Sequence, residues 1–119
     1  LSRPVFLYGT LLDPRVFRRQ AGTLRPWRQA VPALLPGFRR VHLRGTPYPT
    51  LVAAADEVAG LIVRLPPMPL ESLRRYEGPS YRLCPVRAVT RRGPRAARAW
   101  MTAPRRAEFA RPWPAHAGM

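Results

Sequence analysis

The stretch Val5-Phe6-Leu7-Tyr8-Gly9-Thr10-Leu11-Leu12-Asp13-Pro14-Arg15-Val16-Phe17 decides how this chain folds. Val5 to Tyr8 form a short unbroken apolar run, the pattern of a strand buried on both faces, and Gly9 stops it. Asp13 before Pro14 is a helix start, an N-cap acid with proline at the first helical position, and Gly22 is the stop. A strand from Arg3 to Tyr8, a glycine-opened loop and a short helix are therefore expected. Glycine at a strand end leaves the following N–H groups unobstructed, so Tyr8-Gly9-Thr10-Leu11 reads either as a ligand-facing loop or as a simple turn.

Working outward, residues 24–43 carry one or two strands interrupted at Pro36-Gly37. Residues 45–52 form a stiff loop entering another strand, and two prolines restrict the backbone around Tyr48. Residues 58–65 are a central strand in which Gly60 marks a bulge or a close backbone approach. Pro66 to Pro69 read as a short linker, and residues 70–77 as a second helix, with Pro69 at or just before its first turn and Gly78 as the stop. Tyr81 to Val89 and Arg95 to Met101 are a closing pair of strands. Many short strands with two short helices indicate an α+β domain around a small mixed β-barrel with flanking helices. The domain is expected over residues 1–102, with an irregular Pro-rich tail over residues 103–119 pinned to the body by Trp113.

At 119 residues the chain has core enough for one domain without metal or disulfide. Cys84 is the only cysteine, so no internal bridge exists, and a buried inert thiol is expected. No apolar run is long enough for a transmembrane helix and no signal-peptide layout opens the chain, so no membrane partner and a cytoplasmic location are expected. The formal charge is +15. All 21 basic residues are arginine, and neither lysine nor asparagine occurs. That is the signature of a GC-rich coding sequence. The arginines are scattered, without the interleaved aromatics of a base-stacking platform, which argues against a specific nucleic-acid function and leaves salt-sensitive adhesion to polyanions.

The second informative segment is Tyr76-Glu77-Gly78. At about 100° per residue Leu70, Leu73 and Glu77 share one helical stripe, so the carboxylate projects from the apolar face. It also lies in the last turn, where the helix dipole disfavours negative charge. Both effects raise a carboxyl pKa toward the range of a general base. The alternative is a partly buried ion pair with Arg74 or another arginine. Other chemistries lack support. The two histidines and Cys84 have no metal-ligand spacing, no phosphate-loop lysine exists, and the other five acids look like caps or solvated positions.

At these residues the chain resembles the gamma-glutamylcyclotransferase-like superfamily, in the branch of gamma-glutamylamine cyclotransferase and the plant avirulence-induced homologues. The opening strand with Tyr8-Gly9-Thr10-Leu11 is similar to the family's substrate loop. Leu35-Pro36-Gly37-Phe38-Arg39 and Tyr48-Pro49-Thr50-Leu51 resemble its middle section, and Gly60-Leu61-Ile62 the strand before its catalytic helix. Tyr76-Glu77-Gly78 with Tyr81-Arg82 resembles its glutamate signature, and Ala99-Trp100 its closing strand. The likeness spans roughly residues 4–102.

The resemblance implies a cofactor-independent enzyme that releases 5-oxoproline from a small gamma-glutamyl substrate, with Glu77 as general acid/base. It implies substrate-binding roles for Tyr8, Gly9, Thr10, Leu11, Tyr48 and Tyr81, with Tyr8 and Tyr81 donating hydrogen bonds, and no metal. Three departures stand out: Arg74 where the family often has aspartate, a compact segment from Glu77 to Tyr81, and Met101 where an aromatic residue is often seen. A non-catalytic metabolite-binding module on the same fold and a basic polyanion-binding protein are the alternatives. The amine half of the substrate and the oligomeric state are not written in the sequence.

Overall fold

A computed structural model describes residues 1–114. Six strands run β1 (Arg3–Leu7), β2 (Val31–Leu43), β3 (Pro49–Leu65), β4 (Arg82–Thr90), β5 (Gly93–Met101) and β6 (Ala107–Pro112). Three helices, α1 (Pro14–Ala21), α2 (Arg25–Arg28) and α3 (Pro67–Glu77), lie between them. Along the sheet the order is β3-β1-β5-β4-β2-β6, and β2 pairs again with β3. Five strands therefore close a ring, with β6 attached outside it. The ring is mixed, because β1 runs parallel to β5 while its other pairings are antiparallel. The expected small mixed barrel is what forms.

The alternation of β1 explains its apolar run. Phe6 and Tyr8 join a cluster drawn from all five ring strands, including Leu35, Leu51, Val58, Val86 and Ala99. Val5 and Leu7 face the opposite way, into a second cluster with Phe17 of α1, Leu73 of α3 and Trp100. One strand thus belongs to the barrel interior and to the layer beneath the helices. Asp13 caps α1 by accepting from the Arg15 N–H at 2.9 Å, and Gly22 ends it in the left-handed region at φ 80°.

Gly60 is a close approach. A Cβ there would stand 2.1 Å from the Leu7 carbonyl oxygen and 2.7 Å from Phe6 Cζ.

Several expectations need correction. Residues 50–52 and 58–65 belong to one strand, because β2 pairs with both ends of β3 across a bulge between Pro36 and Phe38. The bulge is where Gly37 takes φ 86°. Pro67 and Met68 are not linker: with Pro69, expected at or just before the helix start, they form the first turn of α3, where a missing N–H costs nothing. The short helix α2 was not anticipated.

The tail is not irregular throughout. Residues 107–112 pair with β2 at Val41, His42 and Leu43, and Pro104 and Pro112 bracket this strand rather than interrupt it. Trp113 does pin the tail: it is buried, and its indole N–H donates to the Pro47 carbonyl at 2.9 Å. Residues 115–119, which include His116, lie outside the described residues. Cys84 is half-buried rather than sealed in the core. No helix among the described residues is long and apolar enough to cross a membrane.

Candidate active site

Where β1 ends, the chain makes a single 3₁₀ turn over Thr10–Leu12, closed by a hydrogen bond from the Leu12 N–H to the Gly9 carbonyl at 3.0 Å. In such a turn the donors that precede the first bonded N–H have no partner within it. Gly9 is not in the left-handed region, since its φ is −127°. Its requirement is space: a Cβ would stand 2.7 Å from Cγ of the Pro49 ring.

Across from this turn α3 ends. Leu73 is fully buried, Leu70 packs against the same cluster, and Glu77 follows on the same stripe, as the helical wheel indicates. Gly78 stops the helix at φ 86°, its N–H donating to the Arg74 carbonyl at 3.1 Å.

The two segments face one cavity of ≈ 160 Å³. That is about the volume that holds a single six-membered ring. Its walls include Tyr8, Gly9, Thr10, Leu11, Tyr48, Glu77 and Tyr81, every site residue anticipated from the sequence. The structure adds Phe6, Leu7, Pro49, Tyr76 and Trp100. Tyr76 sits at the edge of the α3 stripe. Its hydroxyl lies 2.9 Å from Thr10 Oγ1, a direct tie between helix and loop. Tyr48 is half exposed, at the mouth of the cavity.

Glu77 is the single carboxylate lining the cavity among the described residues. Burial pushes its pKa up to about 7. Among the described residues no arginine lies within ion-pair distance of it, so the ion-pair alternative is not what forms. Arg74 instead reaches Glu71, at 3.6 Å on an exposed face. The substitution of arginine for the family's common aspartate therefore puts no cation in the cavity.

The tyrosines differ from expectation in one respect. The Tyr8 hydroxyl donates to the Trp100 carbonyl, and the Tyr81 hydroxyl donates to the Pro49 carbonyl at 2.7 Å. Both protons are committed to backbone, so what the phenol oxygens offer the cavity is lone pairs. Burial first, and the nearby Glu77 second, raise both phenol pKa values above the ordinary tyrosine range. They stay neutral at working pH. The cavity is thus lined by one titrating carboxyl, two neutral phenols whose protons are held by backbone carbonyls, and a turn whose leading N–H groups have no partner within it. No group of His, Cys, Asp and Glu with metal-holding geometry occurs among the described residues.

The model of the family "Gamma-glutamyl cyclotransferase, AIG2-like" matches residues 5–116. The chain belongs to this family. The matched span runs past residue 102, in keeping with the pairing of β6 onto β2. Protein AIG2 C of Arabidopsis thaliana is 38% identical over 63 residues, which is 52% of this chain and 36% of that protein. The match thus covers only about a third of the plant protein's length.

A solution structure from Arabidopsis thaliana superposes with a TM-score of 0.76 at 30% identity, covering 92% of this chain and 74% of that one. A structure described as gamma-glutamyl cyclotransferase superposes at 0.69 with 20% identity, covering 87% and 68%. An AIG2-like protein from Mus musculus superposes at 0.67 with 18% identity, covering 88% and 82%. The last two are likenesses of fold.

Proposed function

We propose that this chain is a gamma-glutamyl cyclotransferase, releasing 5-oxoproline and a free amine from a gamma-glutamyl amine or amino acid. The observation that carries the reading is the Glu77 carboxyl, with a pKa of about 7 and no arginine paired with it among the described residues, in the wall of a ring-sized cavity opposite the Gly9–Leu11 turn. A family match across nearly the whole chain supports it.

The reaction is intramolecular. The substrate α-ammonium rests among acceptors only: the Glu77 carboxylate and the Tyr8 and Tyr81 oxygens, whose own protons are held elsewhere. Glu77 takes one proton from it. The freed amine attacks the γ-carbonyl carbon, forming the ring C–N bond and pushing the carbonyl electrons onto oxygen. Backbone N–H groups of Gly9, Thr10 and Leu11 stabilise that oxyanion or hold the α-carboxylate. Glu77 then gives its proton to the departing nitrogen and takes the second proton from the ring nitrogen. The original C–N bond breaks as the carbonyl reforms, and the second proton follows the leaving amine, which departs as an ammonium while the carboxylate is regenerated. A small cavity that folds the flexible chain into a ring supplies much of the remaining rate gain. Tyr48 at the mouth lies where the amine half leaves. No metal or cofactor enters these steps.

The test is 5-oxoproline release across a panel of gamma-glutamyl amines and amino acids. Release from at least one, falling by roughly 10²–10⁴-fold in Glu77→Gln, is expected. Tight binding of 5-oxoproline without turnover of any substrate would favour the metabolite-binding module instead.

A further observation favours polyanion adhesion as a secondary property. A wide groove away from the cavity is lined by Arg64, Arg91, Arg92 and Arg95 and by no carboxylate. Adhesion there should weaken steeply with salt.

A further inference from the structure

Arg40 is the exception among the arginines. It is 7% exposed, whereas surface arginine is the rule in this chain and in proteins generally. It follows the bulge in β2 and shares a face with Phe38, which packs against the barrel interior. One guanidinium nitrogen donates to the Tyr8 carbonyl at 2.6 Å, and the other to the Ala59 carbonyl at 3.2 Å. These carbonyls lie just past the end of the β1–β3 ladder at the Leu7–Leu61 pair, where β1 leaves β3. The fork of Arg40 grips both strands at that point.

The far side of Arg40 is held by the C-terminal segment. The Trp113 ring lies 5.9 Å from the guanidinium carbon, and the Trp113 backbone N–H donates to the Arg40 carbonyl at 3.0 Å. Burying a cation is costly unless its hydrogen bonds and surroundings are well set. A cationic side chain buried at the start of the substrate turn therefore calls for a role beyond packing.

Peptide planarity supplies one. The Tyr8 carbonyl and the Gly9 N–H belong to one trans peptide unit, so they point in opposite directions. Arg40 does not line the cavity, whereas Gly9 does. Fixing the Tyr8 oxygen on Arg40 therefore fixes the direction of the Gly9 N–H on the other side. A charge-assisted hydrogen bond to the carbonyl also draws electrons from the amide and makes its N–H a stronger donor. We propose that Arg40, backed by Trp113, is a positioning residue that aims and polarises the Gly9 N–H, so that the C-terminal segment is a working part of the site. This rests on the cyclotransferase reading for its kinetic consequence, but its structural consequence is independent of it.

The experiment compares full-length wild type with Arg40→Lys and Trp113→Ala by amide NMR and by kinetics on any substrate found. Lysine keeps the charge but cannot grip two carbonyls at once. In the free protein the Gly9 amide proton should move in both variants while that of Gly22, at the end of α1, stays put. For the folded enzyme, kcat should fall by about tenfold, less than the roughly 10²–10³ seen when an oxyanion donor is removed outright. The pH at which activity rises should not move, because burial alone accounts for the Glu77 shift. The double variant should be little worse than either single one, since both act through one grip.

An unmoved Gly9 amide, or kcat and KM of the folded fraction equal to wild type, would make Arg40 a packing residue and overturn the proposal. A shifted pH profile would also overturn it, by showing that Arg40 acts on Glu77. If wild type turns over no substrate, the cyclotransferase reading fails, while the Gly9 amide still decides the role of Arg40. Should Arg40→Lys not fold, Trp113→Ala leaves the guanidinium in place and carries the same readouts.

Discussion

The hydroxyls of Thr10 and Tyr76, 66 positions apart in sequence, meet at 2.9 Å. This bond ties the turn that carries the open backbone donors to the helix turn that carries Glu77. It sets the distance between the two halves of the proposed machinery. Tyr76→Phe removes it while keeping the ring in its cluster. One hydrogen bond is worth about 1 kcal/mol net. Turnover should therefore fall by roughly threefold to tenfold, with a loss of stability no larger than about 1 kcal/mol. Steady-state kinetics beside thermal denaturation check this, and an unchanged kcat would mean that the turn and helix are spaced by packing alone.

Glu77→Gln tests the base itself. The amide keeps the size of the side chain and cannot exchange the proton. General acid–base catalysis contributes roughly 10²–10⁴-fold, so kcat should drop by about that factor. KM should change little, because the substrate carboxylate and oxyanion contacts come from the turn. A variant as active as wild type would remove Glu77 from the mechanism.

Stability and activity should move in opposite directions with pH. The folded-state pKa of Glu77 is raised from 4.5 to about 7 by burial. Below pH 4.5 the carboxyl is protonated in both folded and unfolded chains and costs nothing. Between 4.5 and 7 the unfolded chain ionises first, so wild type loses stability as pH rises; above 7 the loss is constant, up to about 3 kcal/mol. Glu77→Gln lacks this slope. Denaturant titrations at pH 4 and pH 8 should show the variant gaining on wild type at the higher pH. Wild-type turnover should rise over the same range as the base ionises. Parallel stability curves for the two proteins would place the carboxylate in water.

Arg74 lies outside this machinery. It is exposed and paired with Glu71, three residues away on the same helix. Such pairs contribute a few tenths of a kcal/mol. Arg74→Ala should leave kcat and KM at wild-type values and shift stability by no more than about 0.5 kcal/mol. A marked gain in activity would instead reveal long-range repression of the base by this cation.

The barrel class and the orientation of Glu77 were legible in the sequence because each rests on a local rule, whereas Tyr48 and Tyr81 were named for the site by the family resemblance alone. A four-residue apolar run can be read as a strand with two buried faces, and a 3.6-residue period places Glu77 beside Leu73. What escaped depended on pairing over long separations. Residues 53–57, Ala-Ala-Ala-Asp-Glu, carry no strand-favouring residue, yet β2 holds β3 on both sides of them. The tail reads as proline-broken, yet its edge pairs with β2 because prolines bracket a strand as readily as they stop one. Arg40 looks like one more arginine beside Arg39. Only the bulge at Gly37, which resets the alternation of β2, turns it inward.

Gly60 and Gly9 separate fold from function. Both sit where another residue presses against the Cα, but the obstacles differ in kind. At Gly60 the obstacle is the Leu7 backbone oxygen, 2.1 Å from where a Cβ would be, within the β1–β3 ladder that helps close the ring. Backbone cannot give way without parting the strands, so Gly60→Ala should cost several kcal/mol, the scale of a severe core defect. It should unfold a large share of the protein near 37 °C. At Gly9 the obstacle is the edge of one proline ring beside the cavity, at 2.7 Å. Gly9→Ala displaces Pro49, whose carbonyl holds the Tyr81 hydroxyl, so it should disturb the site more than the fold. Gly9→Val, with two further methyl groups at the same spot, should abolish binding of 5-oxoproline in protein that still melts cooperatively. Calorimetry of both positions beside a 5-oxoproline titration reads the contrast. Equal thermal losses at Gly60 and Gly9, with ligand affinity intact at Gly9, would make the turn after β1 part of the frame and leave substrate binding to the opposite wall.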